Sequence, residues 1–105
     1  MRYILTAADN NKTLDLRPGD ELQITLDETP TTGYNWEVMN PADSLYQIKK
    51  TSYNIYKEAG IGGGGQRVFI IGITGRGTSA LILKNQQRWS GDVYEEFKLL
   101  LTVNS

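Results

Sequence analysis

Glu21-Leu22-Gln23-Ile24-Thr25-Leu26-Asp27 alternates strictly between polar and apolar residues. Successive side chains on a strand point to opposite faces. The stretch therefore predicts a strand with Leu22, Ile24 and Leu26 in a core and Glu21, Gln23, Thr25 and Asp27 toward water. A second alternation, Asn35-Trp36-Glu37-Val38-Met39, lies a few residues on, with Trp36 and Val38 on one face. Between them runs Thr29-Pro30-Thr31-Thr32-Gly33-Tyr34, longer than the two-residue turn of a tight hairpin. Pro30 fixes its own φ and pushes Thr29 toward an extended conformation. Gly33 can adopt a positive φ, which the β-branched Thr31 and Thr32 resist. The expectation is a stiff loop presenting two threonines at one end of a sheet.

Outward from this pair the same grammar repeats. Residues 3–6 read as a first strand, with 13–16 as an optional continuation, and Arg17-Pro18-Gly19-Asp20 makes a turn. Residues 45–57 are rich in Tyr, Ile and Thr, and their period slips at Lys49-Lys50-Thr51, which suggests a bulge. Residues 66–74 carry Val68-Phe69-Ile70-Ile71, apolar on both faces, which predicts a central, covered strand. Residues 78–84 and 94–103 complete the set, the last with Phe97, Leu99, Leu101 and Val103 on one face. No stretch has a capped helical apolar pattern. Seven to eight short strands joined by turns predict an all-β, immunoglobulin-like antiparallel sandwich, a single domain over 1–105.

Composition removes most chemistry. The 105 residues include no Cys and no His, which excludes Cys-His and Ser-His-Asp catalysis and Cys/His zinc sites. A net charge of −1 gives no electrostatic case for nucleic acid or an anionic membrane. No apolar run approaches the roughly 18–20 residues of a membrane span. The N-terminal apolar stretch is too short for a signal peptide, so the expected setting is cytoplasmic, or a processed form of an exported protein. Asp20, Asp27, Glu28, Asp92, Glu95 and Glu96 could supply a carboxylate pair, but nothing fixes a separation, and turn or solvent-facing roles are expected of each. Gly60-Ile61-Gly62-Gly63-Gly64-Gly65 is followed by Gln66-Arg67 and a strand, not by Lys-Ser/Thr and a helix, so it is no phosphate loop. Neither enzymatic activity nor a cofactor is expected.

In a sandwich of this type the loop at 29–34, the glycine run and the polar stretch 85–92 leave from the same end. Trp89, flanked by Gln87, Arg88, Ser90 and Gly91, either plugs that end or stands out as an aromatic anchor. Trp36 belongs to the core by its alternation. Three unusual loops at one end resemble a binding edge. A carbohydrate- or protein-binding module, with Trp89 and Tyr34 as stacking platforms, is the alternative, and a purely structural domain is a third reading.

The same residues resemble the chagasin family of protein inhibitors of papain-like cysteine peptidases. That family carries N-P-T-T-G-[Y/F]-x-W, G-x-G-G and R-P-W in the three loops. Here the first motif is Thr29-Pro30-Thr31-Thr32-Gly33-Tyr34-Asn35-Trp36, with Thr in place of the leading Asn. The second fits Gly62-Gly63-Gly64-Gly65, or equally Gly60-Ile61-Gly62-Gly63. The third is degraded to Gln87-Arg88-Trp89. The resemblance implies a monomeric domain that occludes a peptidase cleft reversibly, tightly and competitively. Thr31 and Thr32 would lie by the catalytic cysteine, the other two loops would clamp the rims, and Trp89 would pack on the enzyme. It also implies weaker or retuned inhibition from Thr29 and Arg88, the two departures.

Overall fold

A computed structural model describes residues 1–29, 32–55 and 64–104. Among the candidate contact residues, Pro30, Thr31, Gly62 and Gly63 lie outside the described residues. The described chain forms eight strands: β1 Arg2–Leu5, β2 Thr13–Leu16, β3 Glu21–Glu28, β4 Tyr34–Val38, β5 Tyr46–Ile55, β6 Gly65–Ile73, β7 Gly77–Gln87 and β8 Val93–Val103. They make two four-stranded sheets, ordered β1-β3-β6-β5 and β2-β8-β7-β4.

The alternation in β3 places Leu22, Ile24 and Leu26 in the core at no more than 1% exposure. Phe69, Ile71 and Ile73 from β6 join them, and Leu81, Leu83, Phe97, Leu99 and Leu101 answer from the facing sheet. Each such side chain contributes roughly 1.5–3 kcal/mol through removal from water. Trp36 is buried at 6% exposure, as its place in an alternating strand requires.

Three expectations change in detail. Residues 3–6 and 13–16 do not continue one strand: β1 pairs in parallel with β3, while β2 pairs in parallel with β8 in the other sheet. A 3-10 turn at Ala7–Asp9 and a left-handed Asn11 (φ 69°) carry the chain across, so the otherwise antiparallel sandwich has two parallel edge pairs. β6 is central, but its outer face, Val68 and Ile70, is only half-buried, because two layers leave each sheet one outward face. β7 runs on to Gln87, so Asn85, Gln86 and Gln87 are strand and not loop. They pair with Trp36, Asn35 and Tyr34, and this backbone ladder holds them in strand despite their polar side chains.

The slip in β5 is a bulge at Lys49, between the pairs Ile48–Ile71 and Lys50–Ile70. Its side chain crosses Gly72, where a Cβ would lie 3.2 Å from the lysine stem, and its Nζ reaches Glu21 Oε2 on β3 at 2.6 Å. The bulge thus ties the β5 edge to a strand two places away.

Candidate functional site

The pairing registers place the three loops together. Glu28, the last residue of β3, pairs with Gly65, and Gly65 pairs with Ile55, so β3, β5 and β6 all turn at one level. In the other sheet Tyr34 pairs with Gln87, so β4 begins where β7 ends. The β3–β4, β5–β6 and β7–β8 connections therefore share one end of the sandwich.

Glu28 holds that end together. It continues the inward series Leu22, Ile24, Leu26 and is 2% exposed. The expectation of a turn or solvent-facing role is corrected here: the alternation runs one step past Asp27 and turns the carboxylate into the core. One oxygen accepts the Trp36 backbone N–H at 2.6 Å, across the neck of the β3–β4 loop. The other accepts from Arg67 on β6, at 2.9 Å from Nε and 2.8 Å from the terminal nitrogen. The Arg67 guanidinium lies over the Tyr53 ring at 5.3 Å, and the Tyr53 hydroxyl donates to the Glu28 carbonyl at 3.2 Å. The Trp36 indole N–H donates to the Asp27 carbonyl at 2.8 Å, a second strut across the same neck. Three strands thus meet on one buried carboxylate, with β5 joined to them through Tyr53, and its charge is paired and hydrogen-bonded, as burial demands. Beside it, a Cβ on Gly65 would meet the Asn54 carbonyl at 2.3 Å and the Tyr53 hydroxyl at 2.7 Å, so the end of the glycine run is packed tightly on β5.

Above this base the loop closes on itself. The Thr29 carbonyl accepts both the Thr32 N–H at 3.1 Å and the Thr32 hydroxyl at 2.6 Å. Gly33 has φ 83°, the left-handed value that only glycine adopts freely. Its missing side chain is also required by packing: a Cβ there would lie 2.1 Å from Cη2 of Trp89. Trp89 is 74% exposed, so it does not plug that end: the indole rests an edge on Gly33 and offers its remainder to solvent.

The β7–β8 connection is a short closed hairpin. Gln87 N–H donates to the Asp92 carbonyl at 2.9 Å, and Gly91 N–H donates back to the Gln87 carbonyl at 2.8 Å. Gly91 supplies the required left-handed residue, φ 71°. Two bonds join this hairpin to the first loop: Gln87 Nε2 to the Thr32 carbonyl at 3.3 Å, and the Tyr34 hydroxyl to Asp92 Oδ2 at 2.5 Å. Donation to this carboxylate, with some burial and its negative charge, raises the Tyr34 pKa above its ordinary value. The Tyr34 ring also meets Tyr94, centroids 5.7 Å apart.

Thr29, Thr32, Gly33, Tyr34, Gln87 and Trp89 are thus brought into one connected surface, with Gly65 at the start of β6 and Gly64 just before it. Arg88 is turned aside, its guanidinium paired with Glu37 on β4. Sequence reasoning missed Glu28, Arg67 and Tyr53 beneath the loop and Asp92 and Tyr94 beside it. The signal for Glu28 was present in the period of β3, whereas nothing in the sequence pairs it with Arg67, 39 positions away.

A family model described as Chagasin family peptidase inhibitor I42 matches residues 15–103. Chagasin from Trypanosoma cruzi is 27% identical over 111 residues, an alignment covering 99% of this chain and 100% of that one. The cysteine protease inhibitor EhICP2 from Entamoeba histolytica superposes with a TM-score of 0.86 at 20% identity, over 98% of this chain and 96% of that one, a likeness of fold. Leishmania mexicana ICP superposes with a TM-score of 0.71 at 26% identity, over 91% and 90% of the two chains. The family match runs from β2 to the end of β8 and takes in all three loops: the chain belongs to the chagasin family of peptidase inhibitors, which are not enzymes.

Proposed function

We propose that the protein is a reversible, tight-binding, competitive inhibitor of papain-like cysteine peptidases that acts as a monomer. The β3–β4 loop, with Thr31 and Thr32 at its tip, enters the active-site cleft, and the glycine-run and β7–β8 loops clamp its rims. The observation that carries this reading is the joint between two loops: an indole 74% exposed, seated on a glycine that has room for nothing else. Such an edge is rigid before it meets a partner, so little conformational entropy is lost on docking. Exposed aromatic anchors on rigid loops dominate protein interfaces. Roughly 800 Å² per partner is the ordinary size expected of such an interface. The chain has no Cys that could form a disulfide with the catalytic thiol, and in this reading inhibition is by occlusion, without a covalent step.

The test is a steady-state assay of papain or cathepsin L with the wild type, Thr31→Ala and Trp89→Ala. Wild type inhibits competitively and reversibly. Trp89→Ala loses about 2 kcal/mol of binding or more and keeps its melting temperature within a degree or two, because the indole is not core. Absence of inhibition by the wild type at micromolar concentration would remove the function while leaving the fold.

A further inference from the structure

Beside the β3–β4 loop the mouth of the sandwich is open. A cleft of about 490 Å³ is lined by Asp27 and Glu28 from β3, Thr29 and Thr32 from the loop, Tyr34, Asn85, and Tyr94 and Glu95 from β8. Asn85 is opposite Trp36 on one side and Glu95 on the other, at the level where the apolar core ends, with Trp36 and Asn85 buried and Glu95 exposed at the rim. Asn85 is 4% exposed, and its Oδ1 is buried without any hydrogen-bond partner among the described residues. A buried amide oxygen left so is costly and marks a position that a donor should fill. Among the described residues the lining is also one-signed, with carboxylates and no cation, and the Arg67 guanidinium is engaged by Glu28. At the rim stand the tilted rings of Tyr34 and Tyr94, the latter 70% exposed. Acceptors at the base, a carboxylate in the wall and aromatic faces at the mouth together match one group, a guanidinium, which donates in its plane and stacks on rings.

We infer that this cleft is a subsite for an arginine side chain of the bound peptidase, taken in beside the inhibitory loop with Asn85 and Glu95 as its partners and Tyr34 and Tyr94 against its faces. The inference rests on the inhibitor reading for its partner, but not for its chemistry. The mouth opens next to Thr32, so an enzyme seated on the loop tip has its surface over the cleft.

Two measurements test it separately. In the first, the free protein is titrated with Nα-acetyl-arginine N-methylamide and observed by NMR, with the norleucine analogue as control. Saturable shifts are expected at the Asn85 side-chain amide and the Tyr94 ring with the arginine compound alone, and they vanish in Glu95→Gln. No saturable shift, or equal shifts with norleucine, would overturn the subsite whether or not any peptidase is inhibited. In the second, peptidases that the wild type inhibits are compared against Glu95→Gln and Asn85→Leu. For an enzyme with an arginine at the loop margin, each raises Ki about tenfold, the usual worth of a hydrogen bond to a charged group. Replacing that arginine by methionine abolishes the difference. Asn85→Leu also removes an unsatisfied buried oxygen, so its stability holds or rises; a variant that lost stability and kept its Ki would make Asn85 a structural residue and refute the subsite. Unchanged Ki in both variants, with inhibition itself intact, would sink this inference and leave the inhibitor reading standing.

Discussion

The Glu28 carboxylate can be perturbed almost without changing its shape, by Glu28→Gln. The amide oxygen can still accept the Trp36 N–H, now 2.6 Å from Oε1. The amide nitrogen then faces Arg67, whose two nitrogens stand 2.9 and 2.8 Å from Oε2, so donors meet donors and the guanidinium loses its counter-charge. Removing one partner of a fully buried pair costs about 3–5 kcal/mol. The Arg67 side chain is 22% exposed and can turn partly to water, so about 2–3 kcal/mol is expected here. For a domain of this size that lowers the melting temperature by about 10–15 °C. Urea denaturation at neutral pH measures it directly. The paired substitution Glu28→Met with Arg67→Met separates stability from loop geometry. It removes both charges and recovers much of the loss, since apolar replacement of a buried pair is often neutral. The Trp36 N–H stays without its acceptor, so the loop neck loosens and inhibition remains weaker than in the wild type. If Glu28→Gln unfolds within about 0.5 kcal/mol of the wild type, the carboxylate does not hold the loop base and the reasoning fails.

Three further outcomes follow from the same geometry. Gly33→Ala meets both a left-handed backbone and Trp89, so it costs about 1–2 kcal/mol of stability and displaces the indole; a shift in tryptophan fluorescence and a larger loss of inhibition than of stability are expected. Lys49 and Arg2 hydrogen-bond Glu21 and lower its pKa to about 2. Because the folded value lies below the ordinary value of 4.5, the stability from this carboxylate is complete above pH 4.5 and fades as pH falls toward 2; Glu21→Gln should flatten the acid limb of a urea-midpoint profile. Tyr34 has the opposite sign: its pKa is raised above 10.0 by donation to Asp92, so its contribution is present below pH 10 and lost above it. Tyr34→Phe should remove that alkaline step while leaving the neutral-pH core signals in place.

The sandwich was legible because period-two alternation is a local property. Leu22, Ile24 and Leu26 announce their face within five residues, and so do Phe97, Leu99 and Leu101. The end of β7 was not legible for the same reason. Asn85-Gln86-Gln87 has no apolar alternation, and it is held in strand by the ladder to β4, some 50 positions earlier, with β8 pairing Asn85 and Gln86 from the other side. The split between β1 and β2 was hidden in a similar way, since a 3-10 turn and one left-handed asparagine redirect the chain without changing its hydrophobic pattern. Within the loop-bearing end, the motif residues could be read singly, but not Trp89 upon Gly33 or Tyr34 upon Asp92. Those contacts depend on two hairpins sharing a level, which the register fixes and composition does not.

The two departures from the family motif find their explanation in what braces each loop. A leading asparagine could stiffen the first loop through its side chain. Here the turn is closed instead through the carbonyl of Thr29, which accepts both the N–H and the hydroxyl of Thr32. A backbone acceptor is present whatever side chain position 29 carries, and the neck below is already locked by Glu28. In the third loop, Arg88 lacks the fixed φ of a proline, yet its guanidinium is tied to Glu37 and its backbone lies inside the turn closed by Gln87, Gly91 and Asp92. The rigidity that the motif obtains locally is obtained here from the strands beneath and beside the loops. The expected weakening from these two substitutions should therefore be smaller in this chain than in a relative lacking the buried carboxylate. Introducing asparagine at position 29 should improve inhibition more in the Glu28→Gln background than in the wild type, and equal gains in both would show that the two braces act independently.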